Sequence, residues 1–127
     1  SADVDVFIRN SNITGGANGI QADSTSTTGS IDMTISDTVI ASTDNYGVSL
    51  VAPSKPVRVT LDHVFSINND VGVRVNGAWG IARLANSLVT GNNAGVQSAS
   101  GGVIQSYGTN RVNANTVDGT MTPIAQK

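Results

Sequence analysis

The chain has 127 residues, a formal net charge of −2 and no cysteine, which suits a single domain and excludes disulfide, zinc–thiolate and cysteine-nucleophile chemistry. Its seven basic residues are scattered along the chain, so the basic, aromatic-rich stripe of a nucleic-acid-binding surface is missing. No apolar run approaches the roughly 20 residues that a membrane-spanning helix needs.

Residue usage predicts an all-β chain with many turns. The sequence holds 16 valines and 10 isoleucines against four leucines, and all nine acidic residues are aspartates. β-Branched residues favour strands, and Gly, Asn and Asp favour turns, whereas Glu and Leu favour helices. The chain starts without a methionine or a signal-like stretch, so we expect a mature or excised piece of a longer protein.

Alternating apolar residues predict the opening strand of each of the first three units. These residues are Val4, Val6 and Ile8, then Ile31, Met33 and Ile35, then Val57, Val59 and Leu61. A period of two puts them on one face of a strand and Asp5, Asp32 and Arg58 on the other. The shared phase predicts one internal aliphatic stack, formed by Ile8, Ile35, Leu61 and Leu84.

A polar step and a glycine phrase follow each opening strand. The polar step is nearly identical in the segments that start at Asn10 and Asn86, and Asp37 and His63 hold the matching position in the other two units. The glycine phrase returns at steps of 28, 25 and 23 residues, as Asn18-Gly19-Ile20, Asn45-Tyr46-Gly47-Val48, Asp70-Val71-Gly72-Val73 and Asn93-Ala94-Gly95-Val96. Such a period indicates stacked units, none of which can bury its apolar face alone.

Five units align in this way, and their bounds are Val4 to Gly29, Ser30 to Pro56, Val57 to Gly80, Ile81 to Gly102, and Val103 to the C-terminus. Over residues 4–112 the pattern resembles the right-handed pectate-lyase-like β-helix superfamily. It predicts an all-β fold, a right-handed single-stranded parallel β-helix of about five coils. We expect one domain over residues 1–127, in which residues 113–127 form an irregular C-terminal cap. An antiparallel sandwich would not require a phrase repeated at one phase.

The resemblance suggests a calcium site, because pectate lyases bind calcium through aspartates on adjacent coils and use an arginine as base. Asp5 and Asp32 are the matching candidates here. Calcium takes six to eight oxygen ligands, however, and Arg58 is a simpler counter-charge for Asp32. We therefore expect no metal, no cofactor and no effect of calcium on stability.

Catalytic motifs are missing from the sequence. His63 follows Asp62 and could serve as an acid or a base, but it substitutes for Asn10 in the repeated turn, which favours a structural role. The polygalacturonase-type motifs of the superfamily are absent as well. We expect no catalytic residue, and if the chain is an enzyme, it is a polysaccharide lyase or a glycoside hydrolase.

The candidate binding residues are Tyr46, Trp79 and Arg74, of which the two aromatics could contact a sugar. The favoured function is a non-catalytic module of a secreted or cell-surface protein that binds glycans or acts in adhesion. Two alternatives are a fragment of a polysaccharide-active enzyme and a self-assembling structural unit. The expected partners are a polysaccharide and a second copy of the chain. Val4 starts a strand without a preceding cap, so three covers for this coil end stay open: the second copy, an upstream segment, and residues Ser1 to Asp3 folded over it.

Overall fold

The computed structural model describes residues 3–125, and within this range it is an all-β parallel solenoid of about four turns without a helix. The strands are β1 (Val4–Arg9), β2 (Asn12–Thr14), β3 (Asn18–Asp23), β4 (Ile31–Ala41), β5 (Tyr46–Val51), β6 (Val57–Ile67), β7 (Val71–Asn76), β8 (Gly80–Ala85), β9 (Leu88–Thr90), β10 (Ala94–Ala99), β11 (Val103–Ser106), β12 (Arg111–Asn113) and β13 (Thr122–Pro123). The predicted fold class is confirmed, with about four turns in place of five. The count differs because only two very short strands, β12 and β13, follow β11.

Each turn of the solenoid presents three faces. The first face contains β1, the first halves of β4 and β6, β8 and β11, and the second contains β2, the second halves of β4 and β6, β9 and β12. The third face is a separate sheet of β3, β5, β7 and β10. All of these pairings are parallel, so equivalent residues of successive turns form rows along the solenoid axis.

The predicted aliphatic stack lies inside the solenoid. Ile8 pairs with Ile35, Ile35 with Leu61, and Leu61 with Leu84, which confirms the predicted register. Ile35, Leu61 and Leu84 are at most 1% exposed, whereas Ile8 is only partly buried because β1 pairs with β4 alone among the described strands. The aliphatic stack removes apolar surface from water in every turn, and this burial is the main source of the stability of the fold.

The repeated glycine is required for space. A Cβ atom placed on Gly47 would lie 2.7 Å from the carbonyl oxygen of Gly72, and one on Gly72 would lie 2.7 Å from that of Gly95. Real Cβ atoms do not approach a backbone oxygen this closely. The glycine phrase therefore marks the point of the third face where the backbone of one turn closes upon the next.

A row of polar side chains lies at the corner between the second and third faces, and all of them are buried except the last, which is half-buried. We call it the inner row, and its members are Thr43, Asn69, Asn92 and Asn115. The side-chain oxygen of Asn69 accepts a hydrogen bond from the amide of Thr43 at 3.0 Å, and that of Asn92 accepts one from the amide of Asn69 at 2.8 Å. The side chains thus satisfy backbone groups at a turn that the strands leave unpaired.

The segment after β12 continues the stacking in an irregular form. Val117 bridges to Ala94, and β13 pairs with β11. Gln126 and Lys127, the end of the predicted cap, lie outside the described residues. Over residues 3–125, no helix has the length and apolar character that a membrane span would need.

Candidate functional site

The corner between the first and second faces is built on a row of residues with positive φ. We call it the outer row, and its members are Asn10, Asp37, His63 and Asn86, with φ between 49° and 54°. Asn, Asp and His are the non-glycine residues that adopt this left-handed conformation most readily. The prediction that His63 replaces Asn in a repeated turn is confirmed, and the backbone of this corner explains why His is accepted there.

A second outward row follows two residues later on the second face. Its members are Asn12, Val39, Phe65, Leu88 and Arg111. Outward positions of a half-exposed strand are usually polar, yet the three central members of this row are apolar. The ring of Phe65 is 42% exposed, so this row places an aromatic surface in water.

Two hollows lie between these rows, one on each side of Phe65 along the axis. The larger, of about 310 Å³, is lined by His63, Phe65, Asn86, Ser87, Leu88, Thr109 and Arg111. The smaller, of about 260 Å³, is lined by Asp37, Thr38, Val39, His63 and Phe65. Because His63 and Phe65 line both, the two hollows form one feature along the axis, which we call the corner groove.

The polar wall of the corner groove is fixed by contacts to Asp62. His63 Nδ1 lies 3.0 Å from Asp62 Oδ1, and Asn86 Nδ2 donates a hydrogen bond to the same oxygen at 3.0 Å. The His63 side chain is nevertheless 60% exposed. The imidazole and the amide are therefore held in position while much of the ring still faces water.

The two hydroxyls in the floor of the groove are engaged by the backbone. Ser87 Oγ donates to the carbonyl of Ala85 at 2.9 Å and accepts from the amide of Val64 at 3.2 Å. Thr38 Oγ1 donates to the carbonyl of Ser36 at 2.8 Å. Both hydroxyls stabilise the corner, which leaves neither of them free to act as an activated nucleophile.

The predicted binding residues Tyr46 and Arg74 come together on the third face. Arg74 Nη1 donates a hydrogen bond to the Tyr46 hydroxyl, and the guanidinium carbon lies 5.0 Å from the centroid of the Tyr46 ring. Arg74 Nε is buried without a hydrogen-bond partner among the described residues. The guanidinium thus covers the sheet and is only partly available to a ligand.

Trp79 lies at a third corner, in the turn between β7 and β8, and is 52% exposed. The predicted residues therefore divide between two places, neither of which is the corner groove.

The predicted row of Asp5, Asp32 and Arg58 is confirmed by the register of β1, β4 and β6. Arg58 Nε and Nη2 donate to the two carboxylate oxygens of Asp32 at 2.6 and 3.0 Å, so the pair is bidentate. This hydrogen bonding lowers the pKa of Asp32 and raises that of Arg58. Over residues 3–125, no group of three or more His, Cys, Asp or Glu side chains could hold a metal ion.

Phe65, Leu88 and Arg111 were not predicted as binding residues from the sequence. A signal was present, because Phe65 and Leu88 occupy outward positions of strands whose inward positions are also apolar.

Comparison with protein-family models, curated proteins and solved structures gives no match to this chain. The solenoid architecture therefore rests on the structure alone, and the likeness to the pectate-lyase-like superfamily remains one of sequence pattern.

Proposed function

We propose that this chain is a non-catalytic β-helix module that binds a carbohydrate chain in the corner groove. The observation that carries the proposal is the exposed ring of Phe65, which stands between two hollows whose opposite wall is made of hydrogen-bonding side chains. A sugar ring has an apolar face that packs on an aromatic side chain and a hydroxyl rim that needs donors and acceptors. The groove offers both.

The repeat geometry also favours a linear polymer. Successive turns lie about 4.8 Å apart, so a chain that runs along the axis meets the outer row and the Phe65 row again at each turn. Along the polar wall of the larger hollow, His63, Asn86 and Thr109 come one from each of three successive turns. An extended glycan could thus use similar contacts for successive sugars.

The state of the polar groups supports binding over catalysis. Ser87 and Thr38 are held by the backbone, and Asp62 already contacts His63 and Asn86. Glycoside hydrolysis requires two carboxyl groups that flank the scissile bond, one of them protonated. The groove lining supplies a single carboxyl group, that of Asp37. A secreted or cell-surface setting, which the resemblance suggests, would suit such a module.

The test is a glycan array probed with the whole chain and with single variants. Phe65→Ala should weaken binding about tenfold, which is the effect expected when one aromatic stacking contact is lost. Phe7→Ala is the matched control, because Phe7 is 67% exposed on the first face, away from the groove. It should bind as the wild type does.

Two results would overturn the proposal. One is the absence of binding to any glycan by the folded wild-type chain. The other is retained binding by Phe65→Ala together with loss in Trp79→Ala, which would move the binding surface to the turn between β7 and β8.

A further inference from the structure

We infer that the carbohydrate bound in the corner groove is neutral over most of its length and carries one anionic group, a carboxylate or a sulfate, at the end that meets Arg111. This inference rests on the proposed function and names the ligand class of the same site. It follows from the distribution of charge along the groove.

The two ends of the groove carry opposite charges. Asp37 lines the smaller hollow and Arg111 the larger one. In the register, Val39 is followed by Phe65, then Leu88, then Arg111, so three turns separate the two ends. This separation corresponds to about 14 Å along the axis, which is room for a short oligosaccharide.

Arg111 differs from the other arginines that lie on the solenoid faces. Arg58 is paired with Asp32, Arg74 with the Tyr46 hydroxyl, and Arg83 Nε donates to Gln105 Oε1 at 3.0 Å. Over residues 3–125, the guanidinium groups of Arg9 and Arg111 have no hydrogen-bond or ion-pair partner, and of these two only Arg111 lines the groove.

The chemistry of this free guanidinium selects the ligand. Arginine presents a planar fork of donors that fits a carboxylate or a sulfate better than it fits a hydroxyl. If one sugar of the chain lies over Leu88 and Phe65, the next sugar places one of its substituents at Arg111. An anionic group at that place would gain a charge-assisted contact that a neutral sugar cannot make.

The opposite end of the groove argues against a polymer with an acid on every sugar. Such a chain would place carboxylates near Asp37, and near Asp62 behind His63, where like charges repel. The net charge of −2 adds a weak unfavourable field. One acidic group at the Arg111 end avoids this repulsion.

The experiment compares four forms of one β-1,4-linked glucose tetrasaccharide and of its N-acetylglucosamine counterpart. The forms are the neutral chain, a chain with one terminal carboxylate, a chain with one terminal sulfate, and a chain with a carboxylate on every sugar. Affinity is measured by calorimetry at low salt and at pH 8, where histidine side chains are generally neutral. The two singly charged forms distinguish a carboxylate ligand from a sulfate ligand.

At least one singly charged form should bind about two- to fivefold more tightly than the neutral chain, which is the scale of an exposed ion pair. Arg111→Gln should abolish this preference, so that the variant binds the neutral and the singly charged chains with equal affinity. Arg9→Gln removes the same charge outside the groove and should keep the preference.

Three outcomes would overturn the inference while the proposed function stands. They are equal affinity for neutral and singly charged chains, tightest binding of the fully carboxylated chain, and equal loss of the preference in Arg9→Gln and Arg111→Gln. If no tetrasaccharide binds and the glycan array is also negative, the proposed function itself fails. If only the array gives a ligand, the four forms are remade on that neutral backbone and the same criteria apply.

Discussion

The inner row and the outer row both repeat polar residues once per turn, but they differ in exposure and in uniformity. Asn69 and Asn92 of the inner row are 5% and 3% exposed, and each bonds the backbone of neighbouring turns. In the outer row, Asp37, His63 and Asn86 are all exposed. A buried repeat of nearly uniform side chains that bond the backbone is thus a structural device, whereas an exposed repeat shares only its backbone conformation and leaves its varied side chains within reach of a ligand.

Buried and exposed positions also differ for two apolar residues on a single strand. This difference gives the largest expected change in the free energy of unfolding. Leu61 and Phe65 both lie on β6, but Leu61 is 1% exposed and Phe65 is 42% exposed. Leu61→Ala should lower the free energy of unfolding by about 2–5 kcal/mol, because it opens a cavity in the aliphatic stack. Phe65→Ala, which removes a larger side chain from the outside, should cost about 1 kcal/mol.

Urea unfolding of the two variants measures both values. Equal costs would show that Phe65 is part of the packed structure. The corner groove would then not be a surface that is free to bind a ligand. On β6, the inward and outward apolar positions would contribute equally to stability.

The same comparison can be made for polar residues with two adjacent asparagines, Asn92 and Asn93. The expected change in the free energy of unfolding is smaller. Asn92 Oδ1 accepts from the amide of Asn69, and Asn92 Nδ2 donates to the carbonyl of Ser66 at 3.2 Å. Asn92→Ala leaves these buried groups without partners and should cost about 2–3 kcal/mol. Asn93 is exposed, and among the described residues its side chain donates only to Asp70, so Asn93→Ala should cost about 0.5 kcal/mol or less.

Thermal unfolding of both variants under one buffer condition is the measurement. A cost for Asn92→Ala no larger than that for Asn93→Ala would mean that water replaces the buried hydrogen bonds. The inner row would then be dispensable for stability.

The sequence predicted the inside of the solenoid better than the outside. The aliphatic stack of Ile35, Leu61 and Leu84 was predicted from the alternation of apolar residues along each strand and from the repeat of about 25 residues. Both patterns are visible in the sequence. The corner groove was not predicted, because Phe65 and Arg111 are 46 positions apart in the chain and become neighbours of Leu88 only through the register of β6, β9 and β12.

Some pairwise contacts between side chains could not be predicted from the sequence. Tyr46 and Arg74 were predicted as separate binding residues, yet they contact each other, which depends on how far each side chain extends along the strand. The pairing of Asp32 with Arg58 was predictable, because both residues hold the same position in consecutive units.

Oligomer formation through a coil end stays a prediction.

The smallest expected effect concerns the Asp32–Arg58 pair, an outward contact that contributes to stability and not to the groove. Hydrogen bonding by Arg58 lowers the pKa of Asp32, so the folded state holds this carboxylate charged at a pH where the unfolded chain would protonate it. The contribution is therefore present above the unfolded pKa and is lost as the pH falls through the folded pKa. Because the Arg58 and Asp32 side chains are 41% and 39% exposed, it should be at most about 1 kcal/mol.

Comparison of the wild type with Arg58→Gln at pH 7 and at about pH 2 tests this prediction. The wild type should be more stable at pH 7, and the difference should shrink toward the lower pH as Asp32 becomes protonated. Asp3 and Asp23 also have lowered pKa values, chiefly because Ser30 and Thr25 donate hydrogen bonds to them. The Asp23 contribution is common to both proteins and cancels, whereas the charge of Arg58 also lowers the pKa of Asp3 to a smaller extent and adds to the difference. Arg9→Gln, which removes an arginine without an ion-pair partner among the described residues, is the control and should show no pH-dependent difference from the wild type. A difference between the wild type and Arg58→Gln that persists at the lower pH would mean that the aliphatic part of Arg58 stabilises the first face by packing and that its charge contributes little.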